Sequence, residues 1–101
     1  MSDTAYCYRF QASVSMCEVE ATLLLAVWGT ESLHPGSNLD HSLLYEIQTP
    51  SRLCVIFTDT PAGHDLNRLF SGYLRREFGP GAWTLSRQPP DRVRQLLSGC
   101  V

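Results

Sequence analysis

A short segment ahead of the second predicted helix contains the residue types that acid–base chemistry or anion binding needs. It places two carboxylates, a hydroxyl and an imidazole within seven residues, and general acid–base catalysis requires such groups close together. The segment also leads into a helix, where free N–H groups and the helix dipole attract anions. The candidate small-molecule or anion site comprises Asp59, Thr60, Gly63 and His64, with Asp65 beside it.

The same segment is typical of a helix N-terminus that binds nothing. Asp and Thr are common N-cap residues, and Pro61 suits the first helical turn. Asp65 early in the helix interacts favourably with the dipole, and the paired carboxylates would repel an anion. Capping is therefore the favoured interpretation, and the ligand site is the alternative.

Cysteine and histidine offer two further kinds of chemistry. Cys17 falls in the first turn of the first predicted helix, where the dipole lowers a thiol pKa, so a thiol nucleophile is a third hypothesis. Two neighbouring glutamates act in the opposite direction. The histidines His34, His41 and His64 lie on different predicted elements, and the cysteines include no C-x-x-C pair. We therefore expect no metal and no cofactor.

The composition excludes several functions. All eight basic residues are Arg and none is Lys, which rules out a P-loop and any Schiff-base lysine. The net charge is −2 and the sequence pI is about 5.8, which disfavours nucleic acid as a partner. No apolar run reaches the length of a membrane helix, and the N-terminus does not resemble a signal peptide. We expect a cytoplasmic protein with no membrane contact.

Hydrophobic periodicity predicts an alternation of strands and helices. Period-two patterns and a short apolar run predict strands over 6–12, 39–48, 53–58 and 82–87. Helical spacing predicts helices over 14–33, 64–78 and 91–98. The order is that of an α+β, two-layer, ferredoxin-like β-α-β-β-α-β domain with a short helical tail. We expect one domain over 1–88 and a C-terminal tail over 89–101, and a short helix of this tail packed on the first helix is one of the options for it.

The first helix carries apolar residues all round, and such a helix must be covered on both sides. With Val19 at the centre of the inner face, Leu24 and Trp28 fall on the outer face, with Leu25 beside them. Two alternatives could bury this outer face of the first helix. The tail residues Val93, Leu96 and Leu97 fold back over this face, or another protein binds it.

The second helix presents a basic outer face. Arg68 and Arg75 flank the small residues Ser71 and Gly72, and Arg76 follows. Small residues between arginines allow another chain to approach and guanidinium groups to reach carboxylates. The alternative is a solvated face whose arginines pair with glutamates of the first helix, an arrangement that stabilises little.

These observations favour a small non-catalytic protein-binding domain. Its partner is another protein or a second copy of itself, so that it acts as a homodimer or as an accessory or regulatory subunit. The predicted contact residues are Leu24, Leu25, Trp28, Arg68, Arg75 and Arg76. The alternative function is a small-molecule or anion-binding domain, catalytic or not, centred on residues 59–65.

Overall fold

Strands and helices follow one another along the chain in the order that the periodicity predicts. A computed structural model describes residues 4–36 and 39–98. Over that part the strands are β1 (Ala5–Phe10), β2 (Tyr45–Gln48), β3 (Leu53–Phe57) and β4 (Trp83–Gln88). The helices are α1 (Met16–Leu33), α2 (Pro61–Phe78) and α3 (Pro90–Ser98). The α+β class is confirmed.

The described strands form one four-stranded sheet in the order β2-β3-β1-β4, and every neighbouring pair is antiparallel. In the β1–β3 pair, Tyr8 lies opposite Cys54, and Cys7 lies opposite Val55. Because side chains alternate along a strand, these two pairs lie on opposite faces of the sheet. Strand β3 is buried on both faces, and this agrees with its run of apolar residues.

One face of the sheet packs against α1 and α2 and forms the main core. Tyr8 is almost fully buried there, and its ring meets that of Phe70 edge-on, with centroids 5.2 Å apart. Its hydroxyl donates a hydrogen bond to Oδ1 of Asn67 at 2.6 Å. Burial raises the pKa of Tyr8 well above its ordinary value. The polar end of this core residue is therefore satisfied without water.

The helical tail packs on the sheet and not on α1, which corrects the expectation that it covers the first helix. Val93 is buried against Ala5, Val55 and Phe57, with Leu97 beside them, on the face opposite α1 and α2. The side chain of Leu96 and residues 99–101 lie outside the described part. Helix α3 thus adds a partial third layer, because the apolar side chains on this face of β1 and β3 also require cover.

Arg94 fastens this third layer to the end of β3. Its guanidinium lies 4.1 Å from the centroid of the Phe57 ring. Its Nη1 donates a hydrogen bond to Oδ2 of Asp59 at 3.1 Å, and its Nη2 donates one to Oδ1 at 3.4 Å. The two side chains are partly buried, so the pair is less screened than one at the open surface.

A second arginine fixes the turn between β1 and α1. Arg52 has a φ of 55° and ends the turn before β3. Its guanidinium donates hydrogen bonds to the main-chain carbonyls of Phe10, Gln11 and Val14. These carbonyls belong to a turn that has few strand partners, so Arg52 supplies bonds that the backbone alone leaves unmade.

The predicted second strand is wrong over its first half. Residues 41–43 form a 3-10 turn, which begins where the Asp40 side chain accepts a hydrogen bond from the main-chain N–H of Ser42. Asp40 also accepts from the Ser42 hydroxyl, and these bonds hold its pKa below its usual range. Apolar and polar residues alternate through both the turn and the strand, so alternation by itself did not separate them.

Candidate functional site

The segment before α2 is a helix cap. The Thr60 side chain accepts a hydrogen bond from the main-chain N–H of Gly63 at 3.0 Å, and Pro61 occupies the first turn. Helix α2 therefore begins three residues earlier than the sequence predicts. Gly63 is buried, and a Cβ at this position would overlap the carbonyl oxygen of Phe57. Gly63 thus serves close packing between α2 and β3, a role that its place in the sequence did not reveal.

The titratable groups of this segment are engaged by separate partners. Asp59 binds Arg94 of α3, whereas Oδ2 of Asp65 lies 2.8 Å from Nε2 of His34 at the end of α1. His64 is exposed. Because each group is held by or faces a different part of the molecule, the segment lacks the converging set that general acid–base catalysis requires.

The histidine and cysteine positions that the structure describes outside this segment form no chemical cluster. His41 lies on the 3-10 turn and not on a strand, and its Nε2 is 3.0 Å from Oε2 of Glu31. Within residues 4–36 and 39–98, no three His, Cys, Asp or Glu residues are placed to hold a metal ion.

The three described cysteines are free thiols in different environments. Burial raises the pKa of the Cys54 thiol strongly. Burial also raises the pKa of Cys7, although a hydrogen bond with Ser86 acts in the opposite direction. Cys17 is exposed on the outer side of α1, and within the described residues its thiol has no hydrogen-bond partner. A buried thiol of raised pKa is a poor nucleophile, so neither Cys54 nor the partly buried Cys7 has the lowered pKa of an activated thiol.

The outer side of α1 is apolar and uncovered. Leu24, Leu25 and Trp28 are 48%, 54% and 62% exposed. Cys17 and Ala21 are also exposed, and with Leu24 and Trp28 they follow a spacing of four, three and four residues. Such spacing keeps side chains in one line along a helix, as in a coiled-coil seam. We call Cys17, Ala21, Leu24, Leu25 and Trp28 the apolar stripe.

The exposed stripe is additional to the side of α1 that packs in the core, because the inner side of the helix is already buried. Its inward positions are almost fully buried, namely Met16, Val19, Thr22, Leu23, Ala26, Val27 and Thr30. The two threonine hydroxyls donate to main-chain carbonyls one turn earlier, so they require no other partner. The helix therefore carries a second apolar side that the described part of the chain leaves in solvent.

A groove runs beside the stripe where α1 meets α2. It has a volume of about 380 Å³ and is lined by Glu18, Ala21, Thr22, Leu25, Tyr73, Arg76 and Glu77. Its charged lining residues, Glu18, Arg76 and Glu77, gather where the start of α1 meets the end of α2. Tyr73 and Glu77 were not predicted as surface contacts. The sequence contains the i, i+4 spacing that places them on one side of α2. It does not show which residues of α1 lie across the groove from them.

The arginines of α2 are exposed as predicted. Within residues 4–36 and 39–98, no carboxylate oxygen lies within 4 Å of the guanidinium groups of Arg68, Arg75 or Arg76. The direct pairs with glutamates of the first helix that this alternative includes are therefore absent from the described residues, and Glu31 pairs with His41 instead, but the solvated basic face itself stands. Gly72 lies about one turn from Arg68 and from Arg75, and a Cβ built on it would meet nothing within 4 Å beyond its chain neighbours and the backbone of its own helix. We call this open position on α2 the notch.

Three other leucines, Leu33, Leu43 and Leu85, are also exposed, but they lie on separate elements. Single exposed leucines are common on soluble domains, whereas a contiguous line of apolar residues is not. The apolar stripe and the basic side of α2 are therefore the surface that calls for a functional explanation.

Comparison of the chain with protein-family models, with curated proteins and with solved structures gives no significant match. No helix in the described ranges is both long and apolar enough to cross a membrane. The function must therefore be argued from the surface of the molecule.

Proposed function

We propose that this chain is a non-catalytic, ferredoxin-like domain that binds protein through the outer surface of α1 and α2. It acts either as a homodimer or as an accessory or regulatory subunit of a larger complex. Its partner is accordingly a second copy of the chain or another protein. The ferredoxin-like assignment is supported by the element order and by the strand order β2-β3-β1-β4. The observation that carries the function is the exposure of Leu24 and Trp28 on one line of α1, with Leu25 exposed beside them.

The free energy of burying apolar surface favours this function. Full burial of a leucine side chain is worth about 1.5–3 kcal/mol, so covering each half-exposed leucine contributes about 1 kcal/mol. Trp is enriched among residues that dominate binding energy at interfaces. The stripe supplies such an anchor with apolar neighbours around it.

Charge around the stripe suits the rim of an interface. Arg68, Arg75 and Arg76 are exposed and lack a carboxylate partner within the described residues. Charged groups at a rim steer association and exclude wrong partners more than they add affinity. The free thiols agree with a reducing compartment, and we propose that the protein is cytoplasmic.

Site-specific photo-cross-linking tests this function. A photoreactive amino acid replaces Trp28 in one variant and Arg92, an exposed residue of α3, in a matched control. In the cell of origin, we expect a discrete protein adduct from position 28, either with a second copy or with another protein, and none from position 92. Equal labelling at both positions, or no adduct at position 28, would contradict a protein-binding role for this surface.

A further inference from the structure

The outer surface of the helical layer is divided by charge. Helix α1 carries Glu18, Glu20 and Glu31 and no basic residue, whereas α2 carries Arg68, Arg75 and Arg76 on its outward side and the exposed Glu77 at the end that meets Glu18. One molecule therefore presents an acidic, apolar ridge beside a basic, notched ridge. Each ridge is complementary to the other, and this arrangement is what a self-complementary interface requires.

The helices α1 and α2 run antiparallel, and their contacts show which residues of the two helices lie at the same height along the helix axes. His34 at the end of α1 contacts Asp65 near the start of α2. A Cβ on Gly29 would lie 2.9 Å from Leu69 and 3.8 Å from the hydroxyl of Tyr73. Trp28, next to Gly29, is therefore level with the turn of α2 between those two residues.

That turn contains the open notch. Beyond its chain neighbours and the backbone of α2, nothing lies within 4 Å of a Cβ built on Gly72. Arg68 precedes it by one turn, and Arg75 follows it by nearly one. An indole laid on a glycine between two guanidinium groups gains apolar contact and cation–π attraction. The notch thus fits the most exposed member of the stripe on another copy.

We propose, resting on the function above, that the partner is a second copy of this chain. The two copies pack helical layer to helical layer about a two-fold axis that runs parallel to α1 and α2 and between them. This rotation lays α1 of each copy on α2 of the other. Each residue keeps its height along the axis, so residues at the same height in one copy face each other across the interface. Trp28 then enters the notch at Gly72 of the second copy, and Glu31, one turn later, faces Arg68.

The alternative two-fold axis, perpendicular to the helices, gives a poorer interface. It would place α1 on α1 and α2 on α2, so that glutamates oppose glutamates and arginines oppose arginines. Like charges facing each other across an interface are strongly unfavourable. Only the parallel axis sets acidic groups against basic groups in both halves at once.

Sedimentation of the purified full chain over a range of concentrations tests the proposal. We expect a dimer for the wild type and at least about a thirtyfold rise in the dimer Kd for Trp28→Ala, which removes the indole without offering the arginines a carboxylate. Gly72→Gln fills the notch without a clash inside the monomer, and we expect it to weaken the dimer similarly. Arg92→Gln on α3 is the matched control and should leave the Kd unchanged. Thermal unfolding checks that each variant is folded.

A charge exchange tests the arrangement of the two helices. Glu31→Arg and Arg68→Glu should each raise the Kd by about tenfold, and the two together in one chain should restore most of the loss. A dimer in which Gly72→Gln has no effect, or in which the exchange restores nothing, would overturn the arrangement. A wild type that stays monomeric at every concentration would overturn the second copy as partner, while an adduct with another protein at position 28 would leave the proposed function intact.

Discussion

Replacing Arg94 with alanine should lower the free energy of unfolding by about 1.5–2 kcal/mol. Its guanidinium stacks over Phe57 and binds both carboxylate oxygens of Asp59. The cation–π contact is worth about 0.5–1 kcal/mol, and a partly exposed ion pair is worth up to about 1 kcal/mol. The side-chain stem also covers apolar surface that the substitution would expose. The sum decides how firmly α3 is held on the sheet.

Urea-induced unfolding followed by circular dichroism measures this loss. A change of 1 kcal/mol shifts the Tm of a domain of this size by about 4–8 °C, so thermal unfolding should show a drop of roughly 10 °C. Arg92→Ala is the matched control, because it removes the same side chain from an exposed position of the same helix. Surface substitutions of this kind are usually within about 0.5 kcal/mol of neutral.

A lysine substitution separates charge from shape. Arg94→Lys keeps the positive charge but loses the planar group that stacks on Phe57 and binds Asp59 with two donors. We expect roughly half of the loss seen for alanine. If Arg94→Ala and Arg92→Ala have the same stability within about 0.5 kcal/mol, the reasoning that Arg94 fastens the third layer is refuted.

Three further predictions concern stability. Gly63→Ala should lower the free energy of unfolding by at least about 2 kcal/mol, because the new Cβ meets a carbonyl of β3. Gly72→Ala lies in open space and should raise the free energy of unfolding by about 0.5–1 kcal/mol. Equal effects of the two variants in urea unfolding would contradict this. Arg52→Ala should cost about 2–3 kcal/mol, since three main-chain carbonyls lose a charged donor; a neutral effect in the same assay would show that water replaces it. Because burial raises the pKa of Cys54, the stability this thiol contributes is complete below the ordinary thiol pKa of about 8.5 and is lost as pH rises above it. Unfolding measured at pH values on either side should show a smaller loss for Cys54→Ala than for wild type, and an equal loss in the two would contradict this prediction.

Local features of the fold were predictable because they depend on residues close in sequence. The Ser15 side chain accepts a hydrogen bond from the N–H of Glu18, so the capping pattern read from the sequence marks the start of α1. Gly79 ends α2 with a φ of 76°, a conformation that glycine adopts without strain. The outward position of Leu24 and Trp28 also follows from helical geometry alone.

The sequence left choices undecided where several partners were available to one residue. Asp59 and Asp65 lie six positions apart, so a common site stood as the alternative to capping, but they bind arginine and histidine on different elements. The alternation before β2 fitted a strand, yet Asp40 caps a 3-10 turn there. In each case the choice depends on which groups folding brings near, and a single sequence does not contain that information.

The sequence by itself determined the order of elements, the caps, the absence of lysine chemistry and the apolar outer side of the first helix. Each of these is set by periodicity or by residue type within one element. Only the tertiary structure decided that α3 covers the far face of the sheet and leaves the apolar stripe exposed. The physical reason is that a helix with an apolar side gains the same free energy from any apolar surface. Geometry and chain connectivity decide which surface it meets, so the free side of α1 became visible only once α3 was placed.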